Sequence, residues 1–327
     1  MTDLPIKSAR RLDLSTLSNY AVIVAFAAIV IFFSIAADGF LTVANLSNVL
    51  INNVVLLAIV ALGMTIVISA GGIDLSVGVS LDMSSMAFIM LIAAGMWGPF
   101  AALGGLGAAL VVGLINAFLI NKLKINPFLA TLGVLFIGES VQKLATRGGQ
   151  PIYLTRPEYA EVFNGFVRTQ LLGVPLPVII FLLCSVAVYL MLHRTVFGRY
   201  VSALGAQAGV AWYSGVNVAR QLTKVFVASA ILAGITGVLL SATVKSYVAQ
   251  SGDAFLLDAI GATFIGTAIS PERRPSVLGT ILGVLLLAVT KNGLLLIGWN
   301  FFWQQAGIGI LVFLVLALSF GIRKHHD

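Results

Sequence analysis

Long apolar stretches alternate with short polar segments along almost the whole chain. Most of them approach the roughly 20 residues that an α-helix, rising about 1.5 Å per residue, needs to cross a bilayer. The pattern predicts an all-α integral membrane protein with about ten transmembrane helices. The predicted spans cover residues 20–37, 48–70, 76–95, 99–120, 127–144, 175–192, 222–244, 258–269, 278–289 and 305–320.

The second of these stretches stops at a glycine pair, and the third begins a few residues later. Gly71 and Gly72 can adopt the positive φ angles that end a helix. Asp74 is placed to accept hydrogen bonds from the amides of Ser76 and Val77, as the N-cap of the next helix. This spacing predicts a broken membrane helix.

A carboxylate at this position needs an explanation, because only Asp74 and Asp82 are charged between residues 40 and 121. An ionised side chain within an apolar span is costly and marks either a function or a capped helix start. The residues predicted to form the helix break are Gly71, Gly72, Asp74, Ser76 and Gly78.

Composition excludes a soluble domain. Of 327 residues, 59% are hydrophobic and 9% charged, with a mean hydropathy of +1.05, whereas soluble domains carry about 25% charged residues. The formal net charge of +7 would suggest a nucleic-acid partner in a soluble protein. Here the basic residues fall in short loops, as the positive-inside rule describes. The charge therefore predicts orientation and no nucleic-acid binding.

Alternation of the spans predicts two cytoplasmic ends. Residues 1–18 form a cytoplasmic segment, 19–322 a single transmembrane domain and 323–327 a cytoplasmic tail, while the mixed-charge loop 146–173 lies outside. The basic residues that this places in the cytoplasmic loops and tail are Lys122, Lys124, Arg194, Arg199, Arg220, Arg273, Arg274, Arg323 and Lys324.

Residue types that carry covalent chemistry are few. Cys184 is the only cysteine, and His193, His325 and His326 have no metal-ligand spacing. No Gly-x-x-x-x-Gly-Lys-Ser/Thr run is present to bind nucleotide phosphates. We therefore predict no enzymatic activity, no metal site and no cofactor bound by this chain.

The fourth predicted span is rich in small residues, with Gly104, Gly105, Gly107 and Ala108. Small residues at this spacing let membrane helices approach closely, so we expect this helix to be buried in the bundle. The alternative is that lipid-facing helices simply tolerate glycine.

The fifth predicted span carries its own start signal and two polar side chains. Asn126 is expected to cap the helix and Pro127 to occupy its first position. Glu139 and Gln142 lie within the span. Glu139 either lines a passage or occupies a solvated helix end.

The polar segment 193–220 is made of small residues punctuated by glycines and flanked by basic ones. This composition suits short helices that are presented to the groove of a partner.

Three motifs carry a resemblance to a known family. They are Gly-Gly-Ile-Asp-Leu-Ser-Val-Gly at 71–78, Asn-Pro-Phe-Leu-Ala-Thr-Leu-Gly at 126–133, and blocks at 198–200, 203–205 and 214–218 within the polar segment. On these motifs the chain resembles the permease subunits of bacterial ribose-type ABC importers over about residues 40–320.

The resemblance implies an ABC importer permease fold in the bacterial inner membrane. It implies a dimer with itself or a close relative, a periplasmic sugar-binding protein, and a cytoplasmic ATPase subunit that binds ATP and Mg. It makes 193–220 the loop that couples to this ATPase, through Gly198, Arg199, Ala203, Leu204, Gly205, Ala208, Gly209, Ser214 and Gly215.

Two loops depart from the family pattern. Ala208, Gly209 and Val210 replace an acidic Glu-Ala-Ala core, so a salt bridge from this position to the ATPase is not expected. Between Pro271 and Pro275 the chain lacks the glycine-rich loop of its relatives and is stiffer.

The resulting hypothesis is ATP-driven, binding-protein-dependent import of a monosaccharide or related polyol. The alternatives are the same machinery carrying a nucleoside, a furanosyl signal or a branched-chain amino acid, or an ion-coupled secondary transporter, which also has broken helices. Neutral polar residues near the helix breaks are the candidates for the solute pathway: Asn52, Asn53, Thr65, Ser69, Thr131 and Asn292.

Overall fold

The computed structural model describes residues 14–270 and 274–321, and most of these residues are helical. The α-helices are α1 (Leu14–Ala36), α2 (Val43–Asn48), α3 (Val55–Ser69), α4 (Val77–Ala93), α5 (Gly98–Asn121), α6 (Pro127–Ala145), α7 (Pro157–Val167), α8 (Leu176–His193), α9 (Val196–Tyr213), α10 (Val218–Val244), α11 (Asp253–Ile269), α12 (Val277–Leu296) and α13 (Phe301–Gly321).

A π-helical segment, Val49–Val54, joins α2 to α3, so that Val43–Ser69 is one continuous helix. Within it, the amide of Val55 donates to the carbonyl of Leu50, five residues earlier. Two antiparallel strand pairs lie in the connections. Strand β1 (Ile152–Tyr153) pairs with β4 (Ser246–Tyr247), and β2 (Gln170–Leu171) pairs with β3 (Val174–Pro175).

Helix α3 is the centre of the bundle. Every residue from Val55 to Val67 is buried, because α8, α10, α11 and α12 all pack around it. A helix that is apolar on every face is expected in such a central position. Helices α4 and α5 pack together against α10, and α1 packs with α13.

The glycines of α5 serve close packing on one face only. A Cβ at Gly105 would lie 2.8 Å from the carbonyl oxygen of Ser84 on α4, and one at Gly113 would lie 2.9 Å from that of Phe226 on α10. Gly107 is exposed with open space beside it. The expectation that this helix is buried in the bundle therefore holds for one face only, since the opposite face points out of the bundle.

Each predicted span coincides with a helix, and six of the described helices are long and apolar enough to cross a membrane. These six are Val43–Ser69, Gly98–Asn121, Pro127–Ala145, Leu176–His193, Val218–Val244 and Val277–Leu296. Helix Val77–Ala93 and the stretches Val22–Ala36 of α1 and Phe301–Val315 of α13 are also apolar. The number of ten crossings stays a prediction.

Two predicted spans are shorter than the helices that the structure shows, and a charged residue explains both differences. Helix α11 begins at Asp253 and not at Asp258, and α12 continues past Val289 to Leu296. The charges of Asp258 and Lys291 ended the predicted spans, but these two side chains form an ion pair between the helices.

The connection after α10, residues 246–253, is a short polar segment that alternation of the spans places on the outer side, and it is partly buried. Ser246, Tyr247 and Gly252 are buried, and a Cβ at Gly78 on α4 would lie 2.9 Å from the carbonyl oxygen of Gly252. The connection from α10 to α11 is inserted between helices.

The ends of the chain and one loop lie partly outside the described residues. Of the predicted cytoplasmic segment 1–18, the described part is already helical, because α1 begins at Leu14. The predicted tail 323–327 and residues 271–273 of the proline-flanked loop lie outside the described residues.

Candidate functional site

The break after α3 is made by one glycine in the left-handed region. Gly71 has a φ of +82°, whereas Gly72 has no positive φ. The amides of Gly71 and Gly72 donate to the carbonyls of Ile68 and Val67, at 2.9 and 3.1 Å. These bonds satisfy carbonyls that the end of a helix leaves open.

Asp74 is buried just before α4. Its Oδ1 accepts from the amide of Ser76 at 2.9 Å and from the hydroxyl of Ser76 at 2.7 Å. Its Oδ2 accepts from the hydroxyl of Ser229 on α10 at 3.3 Å. The predicted bond to Ser76 is present, but none is formed with the amide of Val77, and Ser76 occupies the N-cap position. Asp74 therefore forms a turn with the amide two residues on, and does not cap the helix.

Two neighbouring helices also form hydrogen bonds to the break. The Nδ2 of Asn116 on α5 donates to the hydroxyl of Ser76 at 2.6 Å. The hydroxyl of Thr131 on α6 accepts from the amide of Leu75 at 3.1 Å and donates to the carbonyl of Ile73 at 3.3 Å. Since Asp74 is also bonded to α10, three helices fix the polar backbone of the break.

Helix α6 begins as its sequence predicts. Asn126 is the N-cap residue, its side chain accepts from the amide of Phe128 at 2.9 Å, and Pro127 occupies the first turn. Further along α6, Glu139 forms an ion pair with Lys143 at 3.9 Å, with 24% of the glutamate side chain exposed.

Helix α9, in the predicted coupling loop, packs directly on the broken helix. Its backbone leaves helical angles at Gln207, with φ −165° and ψ 102°, which divides it into two helical pieces. A Cβ at Gly205 would collide with the backbone of Ser69, and one at Gly71 would lie 3.2 Å from the Cα of Gly205. The two backbones touch because neither position carries a side chain.

A cavity of about 910 Å³ lies beside this contact. It is bounded by the break at Gly71, by the α5–α6 connection at Asn126, and by α9 at Gln207 and Trp212. The second piece of α9 forms its outer edge, where 61% of Trp212 and 84% of Tyr213 are exposed.

The residues predicted for coupling differ in their exposure. Gly198 and Leu204 are buried, and a Cβ at Gly198 would collide with the backbone of Leu192 on α8. Ala203 is half-buried, whereas the exposed members are Arg199, Gly205, Ala208, Gly209, Ser214 and Gly215.

The residues predicted for a solute pathway do not come together as one site. Thr65 is buried, with its hydroxyl 2.7 Å from that of Thr280 on α12. Asn292 forms reciprocal hydrogen bonds with Asn45, each 2.9 Å long.

The other four lie at two ends of the bundle. Thr131 holds the break, and Ser69 lines a cavity of about 230 Å³ near α9. Asn52 and Asn53 lie at the opposite end, in the π-helical segment.

The role of Asp82 is not evident from the sequence, in which it is only one of two charged residues within a long apolar stretch. The buried Oδ1 of Asp82 accepts from the hydroxyl of Ser251 at 2.8 Å and from the amide of Gly252 at 2.9 Å. Among the described residues, its buried Oδ2 has no hydrogen-bond partner. Asp82 thus anchors the inserted connection between α10 and α11.

Gln142 on α6 anchors the same connection. Its Oε1 accepts from the hydroxyl of Tyr247 at 2.8 Å and from the amide of Gln250 at 3.0 Å. Burial, and to a lesser extent the nearby Asp82 carboxylate, raises the pKa of Tyr247. The phenol therefore remains protonated as the donor.

The ion pair of Asp258 and Lys291 is the second feature that the sequence did not reveal. Each residue is a visible charge in an apolar stretch, but their separation of 33 positions gives no pairing signal. The pair is recognised only when α11 and α12 are seen to pack together.

A bundle of apolar helices around a broken central segment is typical of membrane transport proteins. The chain matches the family described as the permease component of the branched-chain amino acid transport system over residues 45–316, and it belongs to this family. It is a multi-pass membrane permease subunit and not an enzyme.

Three relatives show how far the similarity extends. The ribose import permease protein RbsC of Bacillus subtilis (strain 168) is 34% identical over 291 residues, 89% of each chain. The protein of the same name from Escherichia coli (strain K12) is 29% identical over 319 residues, 98% of this chain and 99% of the relative. The autoinducer 2 import system permease protein LsrD of Yersinia pestis (strain Pestoides F) is 32% identical over 271 residues, 82% and 81% of the two chains. The resemblance to ribose-type permeases is thereby confirmed.

Proposed function

We propose that this chain is the transmembrane subunit of an ATP-driven, binding-protein-dependent importer of a monosaccharide or related polyol. The observation that carries the proposal is the backbone contact of Gly205 with Ser69 and Gly71. It joins the segment expected to dock on an ATPase to the broken helix at the centre of the bundle. A displacement of α9 would therefore act directly on the break.

The exposed second piece of α9 is the proposed contact for the ATPase. Ala208 and Gly209 are exposed, and a Cβ at Gly209 would meet open space. Trp212 and Tyr213 lie next to them and are exposed as well. Aromatic side chains beside small residues suit a packed protein interface, in which aromatics are enriched.

The rest of the proposed assembly follows from charge and from the family. We place α9 and both chain ends in the cytoplasm, with ten crossings of the bacterial inner membrane, because the short basic loops then share one side. A second copy of the chain or a close relative would complete the lipid-embedded dimer, and a periplasmic binding protein would deliver the solute. ATP and Mg would bind only to the ATPase.

A second cargo is supported by specific findings. The family description speaks of branched-chain amino acids, and one relative is named for autoinducer 2. We favour a monosaccharide because the two relatives that match 89% and 98% of this chain are named as ribose permeases.

Uptake of a panel of labelled solutes tests the cargo. The chain would be expressed with its ATPase and binding protein in cells that lack ribose and leucine importers, and labelled ribose, other pentoses and hexoses, leucine and autoinducer 2 would be offered separately. We expect uptake of one or more sugars and none of leucine. Uptake of leucine alone would overturn the proposed cargo while retaining the permease function.

A further inference from the structure

A small cavity, lined mostly by apolar surface with a few polar side chains, lies at the end of the bundle opposite α9. Its volume is about 100 Å³, and its polar lining consists of Asn52, Asn53, Asp258 and Lys291, with Leu57 and Phe255 among the apolar residues. A water molecule occupies about 30 Å³ in the liquid, so the cavity accommodates a few waters or one edge of a small solute.

The two asparagines that line this cavity lie in the π-helical segment. The segment Val49–Val54 inserts an extra residue into the helical turn, with the amide of Val55 bonded to the carbonyl of Leu50. Single π-helical turns of this kind frequently occur at functional sites. The side chain of Asn52 donates to that of Asn48, whereas that of Asn53 has no hydrogen-bond partner among the described residues.

The ion pair in the wall of the cavity keeps unused hydrogen-bonding capacity. Lys291 donates to the Oδ2 of Asp258, and their side chains are 26% and 9% exposed. An ammonium group has three donors, and among the described residues one of them is used. Within the part of the chain that the structure describes, the Oδ1 of Asp258 accepts no hydrogen bond.

A second polar pair in the bundle, Asn45 with Asn292, differs from the ion pair in its structural role. Asn45 and Asn292 exchange two hydrogen bonds of 2.9 Å, and their pairing joins α2 to α12. The Asp258–Lys291 pair joins α11 to α12, but glycines already hold these helices together. A Cβ at Gly266 or Gly283 would collide with the backbone of the facing helix. Adhesion of the two helices alone does not account for a costly pair of charges in an apolar setting.

We propose that Asn53, Asp258 and Lys291 form a contact site for hydroxyl groups of the transported solute, at the mouth of the pathway remote from the ATPase. The inference rests on the proposed function. A hydroxyl group both donates and accepts, so two neighbouring hydroxyls match a free carboxylate oxygen and a free ammonium hydrogen. An uncharged polyol can bind without separating the ion pair, whereas a charged solute would have to break it. The site thus favours neutral polyhydroxylated solutes.

Cysteine chemistry at position 53 tests this site. In the Cys184→Ala background, which removes the only cysteine of the chain, Asn53→Cys would be treated from outside with a charged, membrane-impermeant thiosulfonate. The complete transporter with its ATPase and binding protein would be used, and ribose uptake followed. We expect the cysteine to react and uptake to fall by about tenfold or more, since a hydrogen-bonding site of this kind contributes roughly 1.4 kcal/mol or more.

A matched control separates local from general effects. Lys143→Cys in the same background lies on α6, with 48% of the native side chain exposed, and is predicted to face the same side. Its modification should leave uptake unchanged. A fall in uptake at this position as large as at position 53 would overturn the inference.

A second arm removes the charges without the reagent. The double variant Asp258→Asn with Lys291→Gln keeps the shape and leaves no unpaired charge, so we expect normal membrane levels and a roughly tenfold to hundredfold loss of ribose uptake. Glu139→Gln with Lys143→Gln is the matched control, because it neutralises the other helix-borne ion pair. Equal uptake in the two double variants would overturn the inference.

The possible outcomes distinguish a failure of the contact site from a failure of the proposed function. Failure of the Cys184→Ala transporter to take up any sugar of the panel would contradict the proposed cargo, and the hydroxyl-contact site would be rejected with it. Normal ribose uptake after complete modification at position 53, or a cysteine there that never reacts, would overturn the contact site alone. These results do not depend on how well the charge variants fold.

Discussion

Asp74 and Asp82 are both buried carboxylates in apolar helical surroundings, but they hold different parts of the molecule. Asp74 binds Ser76 and Ser229 and fixes the turn of the broken helix. Asp82 binds Ser251 and Gly252 and fixes the connection that enters between helices. Each carboxylate binds an otherwise unpaired amide, and an unpaired buried amide would cost about 1 to 3 kcal/mol.

Substitution of Asp74 tests whether hydrogen bonding or charge matters at the break. Asp74→Asn retains an acceptor for Ser76 and offers a donor to the hydroxyl of Ser229, so we expect assembly and most transport to persist. Asp74→Leu removes both acceptors and should lower the free energy of unfolding by about 1 to 3 kcal/mol. Membrane level, thermal stability in detergent and solute uptake would be measured for both variants. Loss of uptake in a fully assembled Asn variant would show that the charge itself is required.

At the scale of single residues, the sequence indicated which residues are important better than it indicated which residues they contact. It picked out Asp74 and Gly71 from the interrupted apolar pattern, and Asn126 from its position before a proline. It placed the N-cap at Asp74 when Ser76 occupies it, because the backbone angles that decide this are not visible in the residue order. It could not pair Asp258 with Lys291, since no local spacing records which helices pack together.

At the scale of secondary-structure elements, α9 combines a closely packed first piece with an exposed second piece. Its first piece is fixed to α3 at Gly205 and to α8 at Gly198. Its second piece begins after the kink at Gln207 and projects Trp212 and Tyr213 outward. This division agrees with an element that binds a partner on one side and transmits its movement on the other.

A bulky residue on the exposed piece tests the docking surface. Gly209→Phe meets open space within the subunit, so we expect a normally inserted permease. In the complex, the added ring should overpack the contact and cost about 1 to 3 kcal/mol, which loosens the ATPase and removes solute-stimulated hydrolysis. Recovery of the ATPase in a pull-down and its ATP hydrolysis would be measured together.

Two comparisons make this experiment decisive. Gly133→Phe introduces the same ring on α6, again with open space around the glycine, and should leave ATPase recovery unchanged. Ala208→Glu restores the acid of the family and should be tolerated or strengthen association, more so at low salt if a basic partner lies opposite. Normal recovery and coupling with Gly209→Phe would show that this piece is not the docking element.

The sequence predicted the helices well where hydropathy decides and poorly where tertiary contacts decide. The apolar stretch of α3 predicted a helix over residues 48–70, and the structure has one there. The polar sequence of the connection 246–253 does not reveal its buried partners, which are Gln142 for Tyr247 and Asp82 for Gly252. The π-helical turn at Val49–Val54 was not predicted at all, because its sequence of apolar residues and asparagines is equally compatible with an ordinary helix.

At the scale of the whole molecule, two regions with polar side chains lie at opposite ends of one bundle. One contains the break, α9 and a cavity of about 910 Å³, and the other contains the Asp258–Lys291 pair and a cavity of about 100 Å³. The buried central helix α3 runs between them. A permease that opens alternately to its two sides requires such separate polar ends with a closed middle.

The predicted sidedness follows from this arrangement. Reporter fusions after Lys324 and within residues 153–168 should report opposite sides of the membrane, because the short basic loops are expected to remain in the cytoplasm. Alkaline phosphatase and fluorescent protein activity would be read for each fusion. Both reporters on one side would contradict the ten-span arrangement.

Transport by the reconstituted assembly tests whether this permease imports its solute with the help of an ATPase and a binding protein. The permease, its ATPase and its binding protein would be placed in proteoliposomes, and uptake of labelled ribose measured with and without ATP and with ionophores that abolish ion gradients. We expect uptake that requires ATP and the binding protein and is unaffected by the ionophores. Uptake by the permease alone that is lost when the ion gradient collapses would contradict this expectation and identify an ion-coupled transporter.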